Sequence, residues 1–304
     1  MDLIEPEFPQ VRVACCRDYD GLAKALDAAR PEIVLSYKFL QRPYPRAAFM
    51  AQSSLRWVHC GGAGIDHLVP WDPTELTVTN SAGIAAKAIA EFTLGAVFAL
   101  NIKLPRYQHQ QAARVWDSGE VATGSPQTLC VVGLGHIGTA IARLARAAGL
   151  SVIGVRRGDG PCDAVDTVYP IARLSEALAL ADHTAIIVPL TPKTRGLIGK
   201  AEFDAMKPSS TLINVSRGGV VAEAPLIEAL RNERLSGAVL DVFAAEPLPQ
   251  DSPFWSLPNA IVTPHVAGSF RGWERAAAEV FRTNLRLYLA GQPLINVADP
   301  ALGY

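Results

Sequence analysis

The stretch Cys130-Val-Val-Gly-Leu-Gly-His-Ile-Gly138 decides the fold, because it joins a short apolar, β-branched run to a helix. Thr128 to Val132 reads as a buried strand, and Thr139 to Ala148 reads as an Ala/Arg/Leu helix ended by Gly149. Gly133, Gly135 and Gly138 therefore open a helix directly after a strand, and in that setting G-x-G-x-x-G is a dinucleotide fingerprint. The first glycine serves the tight turn, the second lets backbone approach a pyrophosphate, and the third permits close helix–strand packing. The phosphates are expected on free N–H groups at the positive end of the helix, around His136 and Ile137.

The following strand, Leu150 to Val155, ends at Arg156-Arg157, and no acid appears until Asp159. An NAD site carries Asp or Glu about 20 residues beyond the fingerprint, whereas Arg accommodates the 2′-phosphate of NADP. Two guanidinium forks suit such a dianion. NADP(H) is the expected cofactor, with NAD(H) as the alternative.

Outward from this segment, apolar strands alternate with helical stretches along the whole chain. The first series is Val11–Cys16, Ile33–Ser36, Leu55–Cys60 and Leu76–Thr79, with a helical Asp20–Arg30 after the first. The second begins at Thr128 and continues through Leu150–Val155, Thr184–Val188, Thr211–Val215, Ala238–Leu240 and Ala260–Val262. This rhythm predicts an α/β fold of two doubly wound parallel-sheet domains, a Rossmann-type cofactor domain and a smaller flavodoxin-like substrate domain. At 304 residues the chain exceeds a single core. The boundary is expected near Ala96–Asn101. The last helix, Trp273 to Leu289, carries an apolar stripe that should return it to the first domain. That domain is then discontinuous, residues 1–97 and 272–304 flanking a cofactor domain at 98–271.

Hydrophobic content of 49% and charged content of 19% describe an ordinary globular chain, and a net charge of -1 argues against nucleic acid or an anionic membrane as partner. No apolar run reaches transmembrane length, and Met1-Asp-Leu-Ile-Glu lacks the basic start of a signal peptide, so a cytoplasmic location is expected. The five cysteines are odd in number and form no C-x-x-C pair, which argues against a disulfide framework or a metal site. Trp255 and Trp273 read as core, and the polar stretch Arg106–Gly124, with Trp116, reads as an arm over a partner subunit in a homodimer.

Several further motifs occur in order: Gly61-Gly-Ala-Gly-Ile-Asp66, Ile89-Ala-Glu91, Val188-Pro-Leu-Thr-Pro192 and Ile213-Asn-Val-Ser-Arg-Gly-Gly219. Gly237-Ala-Val-Leu-Asp-Val-Phe243, Glu246-Pro-Leu-Pro249 and Val262-Thr-Pro-His-Val-Ala-Gly268 follow. With these, nearly the whole chain resembles the D-2-hydroxyacid dehydrogenase family, most like its glyoxylate/hydroxypyruvate reductase branch. The short Arg156–Asp163 stretch and the Gly303-Tyr304 terminus point the same way.

The resemblance implies an oxidoreductase that reduces small 2-keto acids to D-2-hydroxy acids, with Arg217, Glu246 and His265 as the catalytic trio. His265 would donate the proton, since imidazole titrates near neutrality. Glu246 would bond the other ring nitrogen, and Arg217 would hold the substrate carboxylate and polarise the carbonyl. Ala63 and Gly64 would offer backbone N–H groups to that carboxylate. Asp241 looks like the family's residue near the nicotinamide. Val188, Pro189 and Thr194 resemble the loop that passes the adenosine and pyrophosphate, and Val215 and Gly268 complete the implied cofactor contacts. Arg271, shortly past His265, is a candidate second cation for a dicarboxylate. The alternative from another class is a dinucleotide-sensing, corepressor-like interaction protein, but the chain has no peptide-binding extension or basic tail.

Overall fold

The computed structural model describes residues 4–38, 42–123 and 125–303. Expectations touching residues 1–3, 124 and 304 lie outside the described residues. The chain divides into two compact units, one formed by Met1–Ile84 with Arg271–Tyr304, the other by Ala85–Phe270.

The smaller unit holds α1 (Leu22–Ala29), β1 (Ile33–Ser36), α2 (Arg46–Met50), β2 (Trp57–Cys60) and β3 (Thr77–Asn80). Its three strands are parallel and pair in the order β1-β2-β3. The strand expected at Val11–Cys16 is absent, which corrects that reading. The β-branched alternation there is met by packing instead of a ladder, because Val11 docks beside Trp57 and Phe8 while Cys15 and Cys16 lie exposed.

The larger unit runs α3 (Ala86–Asn101), α4 (Leu104–Ala113), β4 (Thr128–Val132), α5 (His136–Ala147), β5 (Ser151–Arg156), β6 (Thr167–Pro170) and α6 (Leu174–Leu180). It continues with β7 (His183–Ile186), α7 (Lys200–Ala205), β8 (Thr211–Asn214), α8 (Glu223–Arg231), β9 (Gly237–Leu240) and β10 (Ala260–Val262). Seven parallel strands pair in the order β10-β9-β8-β7-β4-β5-β6. The order reverses at β4, and the loop leaving β4 is the glycine fingerprint, at the switch point where open α/β sheets bind ligands.

Side chains alternate across this sheet, as the strand period of two requires. Cys130, Val132, Ile186, Leu212 and Leu240 face one core with α6, α7 and α8. Leu129, Val131, Ala185, Ile213 and Val239 face the other with α3 and α5. α3 packs along α5, so it belongs with the larger unit. The boundary expected at 97/98 therefore moves to 84/85, and the second moves from 271/272 to 270/271.

The final helix, α9 (Trp273–Leu289), packs on the three-stranded sheet of the smaller unit. Phe281 and Tyr288 stack on the fully buried Trp57 at centroid distances of 5.2 and 5.3 Å. Asn284, buried beneath them, exchanges two hydrogen bonds with the Ile295 backbone and so costs no unpaired polar group. Trp273 meets Tyr37 edge-on at 5.5 Å. Trp255, expected in the core, is instead 55% exposed with its indole N–H donated to Pro249 O. No single helix among the described residues is long and apolar enough to cross a membrane.

Candidate active site

The fingerprint is built as its residue types require. Gly133 leaves β4 at φ +110°, where a side chain is strained, and an added Cβ would lie 2.8 Å from Ile187 O. Gly138 has no room for a Cβ because Gly133 O occupies the space. Gly135, by contrast, faces open space at the start of α5.

The amides of His136, Ile137 and Gly138 fall in the first turn of α5, where no intrahelical acceptor exists. A dinucleotide pyrophosphate fits this cradle: one glycine makes the turn, one leaves room, and the helix offers free donors. Arg156 closes β5 and lays its guanidinium beside Gly160, and Arg157 follows it. Arg156 has no ion pair among the described residues.

Other residues expected around the cofactor divide by what their atoms already do. Val188 and Pro189 follow β7, where Val188 packs against the Gly133 turn and the α6–α8 core. The Thr194 hydroxyl accepts from Thr191 N (2.8 Å) and donates to Pro189 O (2.6 Å), so it closes its own loop. Val215 is buried in the core shared with α3 and α5. Gly268 lies against Ala85 and Ile89 at ordinary contact distances.

Asp241 is a heavily bonded residue among those expected at the site. It is 1% exposed, and its Oδ1 accepts from Thr263 Oγ1 (2.6 Å) and Val266 N (2.8 Å) while Oδ2 accepts from Ala267 N (2.9 Å). Both oxygens hold the loop after β10, so its carboxylate anchors that loop.

That loop carries His265, whose backbone sits at φ +55°, a left-handed conformation that costs energy for a non-glycine residue. Its N–H donates to Asp241 O at 2.8 Å. The ring Nδ1 lies 2.9 Å from Glu246 Oε2. A carboxylate only accepts, so the Nδ1 proton belongs to that bond. Nε2 makes no hydrogen bond among the described residues. Glu246 Oε1 accepts from Phe243 N at 3.0 Å. Burial pushes the Glu246 carboxyl up, but the bonds from His265 and Phe243 and the charges of His265 and Arg217 outweigh it and hold the group below its ordinary range.

Arg217 comes from the loop after β8. Its carbonyl accepts from Asn214 Nδ2 (3.1 Å), and Asn214 Oδ1 accepts from Ser216 N and Oγ, an Asx turn that fixes the approach. Gly218 next to it lies so close to Phe243 and Ala244 that a Cβ would collide with their backbone. Glu223 Oε1 accepts from Ala244 N at 2.7 Å. The loops after β8, β9 and β10, three neighbouring strands, thus bring Arg217, Glu246 and His265 together. The supports Asn214, Ser216, Glu223 and Thr263 did not emerge from sequence; only the Asn-x-Ser spacing of the Asx turn was a signal there.

In the smaller unit, the loop after β2 is pinned by Asn80 Nδ2 on Ala63 O (2.8 Å) and Ser81 N on Gly62 O (3.1 Å). Tyr37 fills the space a Gly61 Cβ would need. The amides of Ala63 and Gly64 have no acceptor among the described residues. None of the cysteines is disulfide-bonded among the described residues, nor do acidic, His and Cys side chains there group as a metal site.

Residues 94–267 match the family model described as D-isomer specific 2-hydroxyacid dehydrogenase, NAD binding domain. The chain is 32% identical over 255 residues to D-3-phosphoglycerate dehydrogenase of Methanocaldococcus jannaschii, covering 81% of this chain and 48% of that protein. It is 30% identical over 271 residues to glyoxylate reductase of Korarchaeum cryptofilum, covering 86% and 81%. Among solved structures, it superimposes with a TM-score of 0.81 on a D-isomer specific 2-hydroxyacid dehydrogenase from Xanthobacter autotrophicus Py2 in complex with NADPH and MES. That match has 33% identity and covers 90% of this chain and 85% of the other.

Proposed function

The chain belongs to the D-isomer specific 2-hydroxyacid dehydrogenase family, and from that premise we propose that it reduces small 2-keto acids, glyoxylate or hydroxypyruvate among them, to D-2-hydroxy acids with NADPH. The observation that carries this reading is the His265–Glu246 bond, which leaves Nε2 unpartnered in the neighbourhood of Arg217.

The fingerprint residues Gly133, Gly135 and Gly138 would hold a nicotinamide dinucleotide, whose chemistry there would be hydride transfer to the carbonyl carbon. His265 Nε2 gives its proton to the carbonyl oxygen as that oxygen gains charge. Glu246 stabilises the imidazolium that donates and fixes the ring orientation. Arg217 holds the substrate carboxylate and polarises the carbonyl. Ala63 and Gly64, in the smaller unit, carry backbone N–H groups that can donate to a carboxylate. Arg156 and Arg157 recognise the 2′-phosphate, which NADH lacks. The fully exposed Trp116, with Val115 and Ile102 also exposed, supports a contact with a second copy of the chain.

The test is NADPH and NADH oxidation with glyoxylate, hydroxypyruvate, pyruvate, oxaloacetate and 3-phosphohydroxypyruvate, with chiral analysis of the pyruvate product. Turnover of the small monocarboxylates with NADPH, giving D-lactate from pyruvate, is expected. L-lactate, or no turnover with any of these acids, overturns the proposal; the second outcome favours a sensing role.

A further inference from the structure

A cleft of about 380 Å³ opens in the smaller unit, at the end of its sheet opposite to the Gly61–Gly64 loop. Leu55 and Arg56 immediately precede β2, and Glu75 and Leu76 immediately precede β3, whereas Gly61 follows the far end of β2. Two cations, Arg46 and Arg56, and two carboxylates, Asp72 and Glu75, line this cleft. None of the four has an ion pair among the described residues, so the fixed charges stand apart and unneutralised. Arg46 is tethered by its Nε to Leu68 O (2.8 Å) and by Nη2 to Pro70 O, which holds its charge in place without cancelling it. Asp72 Oδ1 accepts from the amide and hydroxyl of Thr74, and Oδ2 makes no bond among the described residues.

The lining is otherwise apolar, with Phe49 at 2% exposure and Leu55 and Leu76 nearly as buried. Trp71 also lines the cleft at 8% exposure, and its Nε1–H is buried without an acceptor. A buried donor without an acceptor is uncommon and calls for an explanation.

We propose that this cleft binds a free α-amino acid, at a site separate from the chemistry. The ligand's carboxylate lies with Arg46 and Arg56 and gives the Trp71 indole N–H the acceptor it lacks. Its ammonium faces Asp72 and Glu75, and an aliphatic side chain covers Phe49 and Leu55. A ligand carrying one sign of charge leaves two of the four groups unmatched, while a zwitterion matches both pairs. The inference is independent of the dehydrogenase's substrate, since it rests on none of the groups assigned to catalysis.

The experiment is isothermal calorimetry on the full chain with L-leucine, L-methionine and L-serine, with acetate and methylammonium as single-charge controls. Intrinsic tryptophan fluorescence is followed in parallel. Saturable binding of at least one amino acid is expected, tightest for an aliphatic one, with weaker or no binding of the controls. Arg56→Gln and Glu75→Gln, both exposed, Arg56 with only a long 3.4 Å bond to Leu55 O, should each weaken it about tenfold. Trp71→Phe should weaken binding and abolish the fluorescence change. No saturable binding by the three amino acids, acetate binding as tight as theirs, or binding unchanged by both exposed substitutions overturns the proposal.

Discussion

Asp241→Asn keeps the shape of a buried side chain and changes what it offers its loop. The retained oxygen can still accept from Thr263 Oγ1 and Val266 N, but the new amide presents hydrogens toward Ala267 N, itself a donor. One buried N–H left unpaired costs about 1–3 kcal/mol, and loss of charge assistance at the two remaining bonds adds about 1 kcal/mol each. The sum is about 3–5 kcal/mol, a large share of a stability that for most proteins is about 5–15 kcal/mol. The same bonds hold His265 in its left-handed conformation, so their weakening also moves the imidazole. A misplacement of about 1 Å costs about 10²-fold in rate.

Urea unfolding followed by circular dichroism reads the first effect, and turnover with NADPH and glyoxylate reads the second. A lower unfolding midpoint together with a large loss of kcat is expected. An unchanged midpoint with only a raised KM for NADPH would mean that Asp241 acts on the cofactor directly and would refute the anchoring argument.

Other substitutions probe separate links. His265→Ala should cut turnover about 10²–10⁴-fold with NADPH binding, measured by fluorescence, largely kept; near-normal turnover means the proton donor is another group. Glu246→Gln should be milder, because the ring keeps its donor and loses only the carboxylate that orients it; a loss as large as that of His265→Ala counts against that positioning role. Arg156→Asp should weaken NADPH binding about tenfold or more relative to NADH, since a charged contact contributes about 1.5–3 kcal/mol, and equal loss for both cofactors would dismiss its 2′-phosphate role. Acid should destabilise the fold through its buried histidines. Burial pushes His59 and His183 down to about 4 from an ordinary 6.5, so between those pH values the unfolded chain binds protons the folded chain does not. Stability is full above about pH 6.5 and falls toward pH 4, by about 3–4 kcal/mol per histidine at about 1.4 kcal/mol per pH unit. Urea midpoints should decline over that window, less steeply in His59→Gln or His183→Gln.

Local signals read well where one short segment contains its own reason. The Gly133–Gly138 spacing could be interpreted from sequence because each glycine answers to backbone within a few residues: a positive φ, an open approach, a close helix. β10 and α9 were likewise legible to the residue, the first as an apolar run and the second as an amphipathic stripe ended by Gly291. Val11–Cys16 misled for the complementary reason. A strand needs a partner edge as well as β-branched residues, and no alternation within the segment reveals whether that edge is supplied.

The sequence by itself determined the α/β class and the dinucleotide loop, because motif spacing is a property of the chain, and its resemblance to a known family implied the three residues proposed for catalysis. Only the tertiary structure decided what Asp241 and Thr194 do, since a carboxylate or hydroxyl is assigned by its neighbours, and theirs are amides and hydroxyls of their own loops. It also decided that α3 belongs with the larger unit, because packing on α5 joins segments separated in the chain. Hydrogen-bond partners and packing contacts are relations across the fold, and pairing β8, β9 and β10 side by side is what brings Arg217, Glu246 and His265 into one neighbourhood.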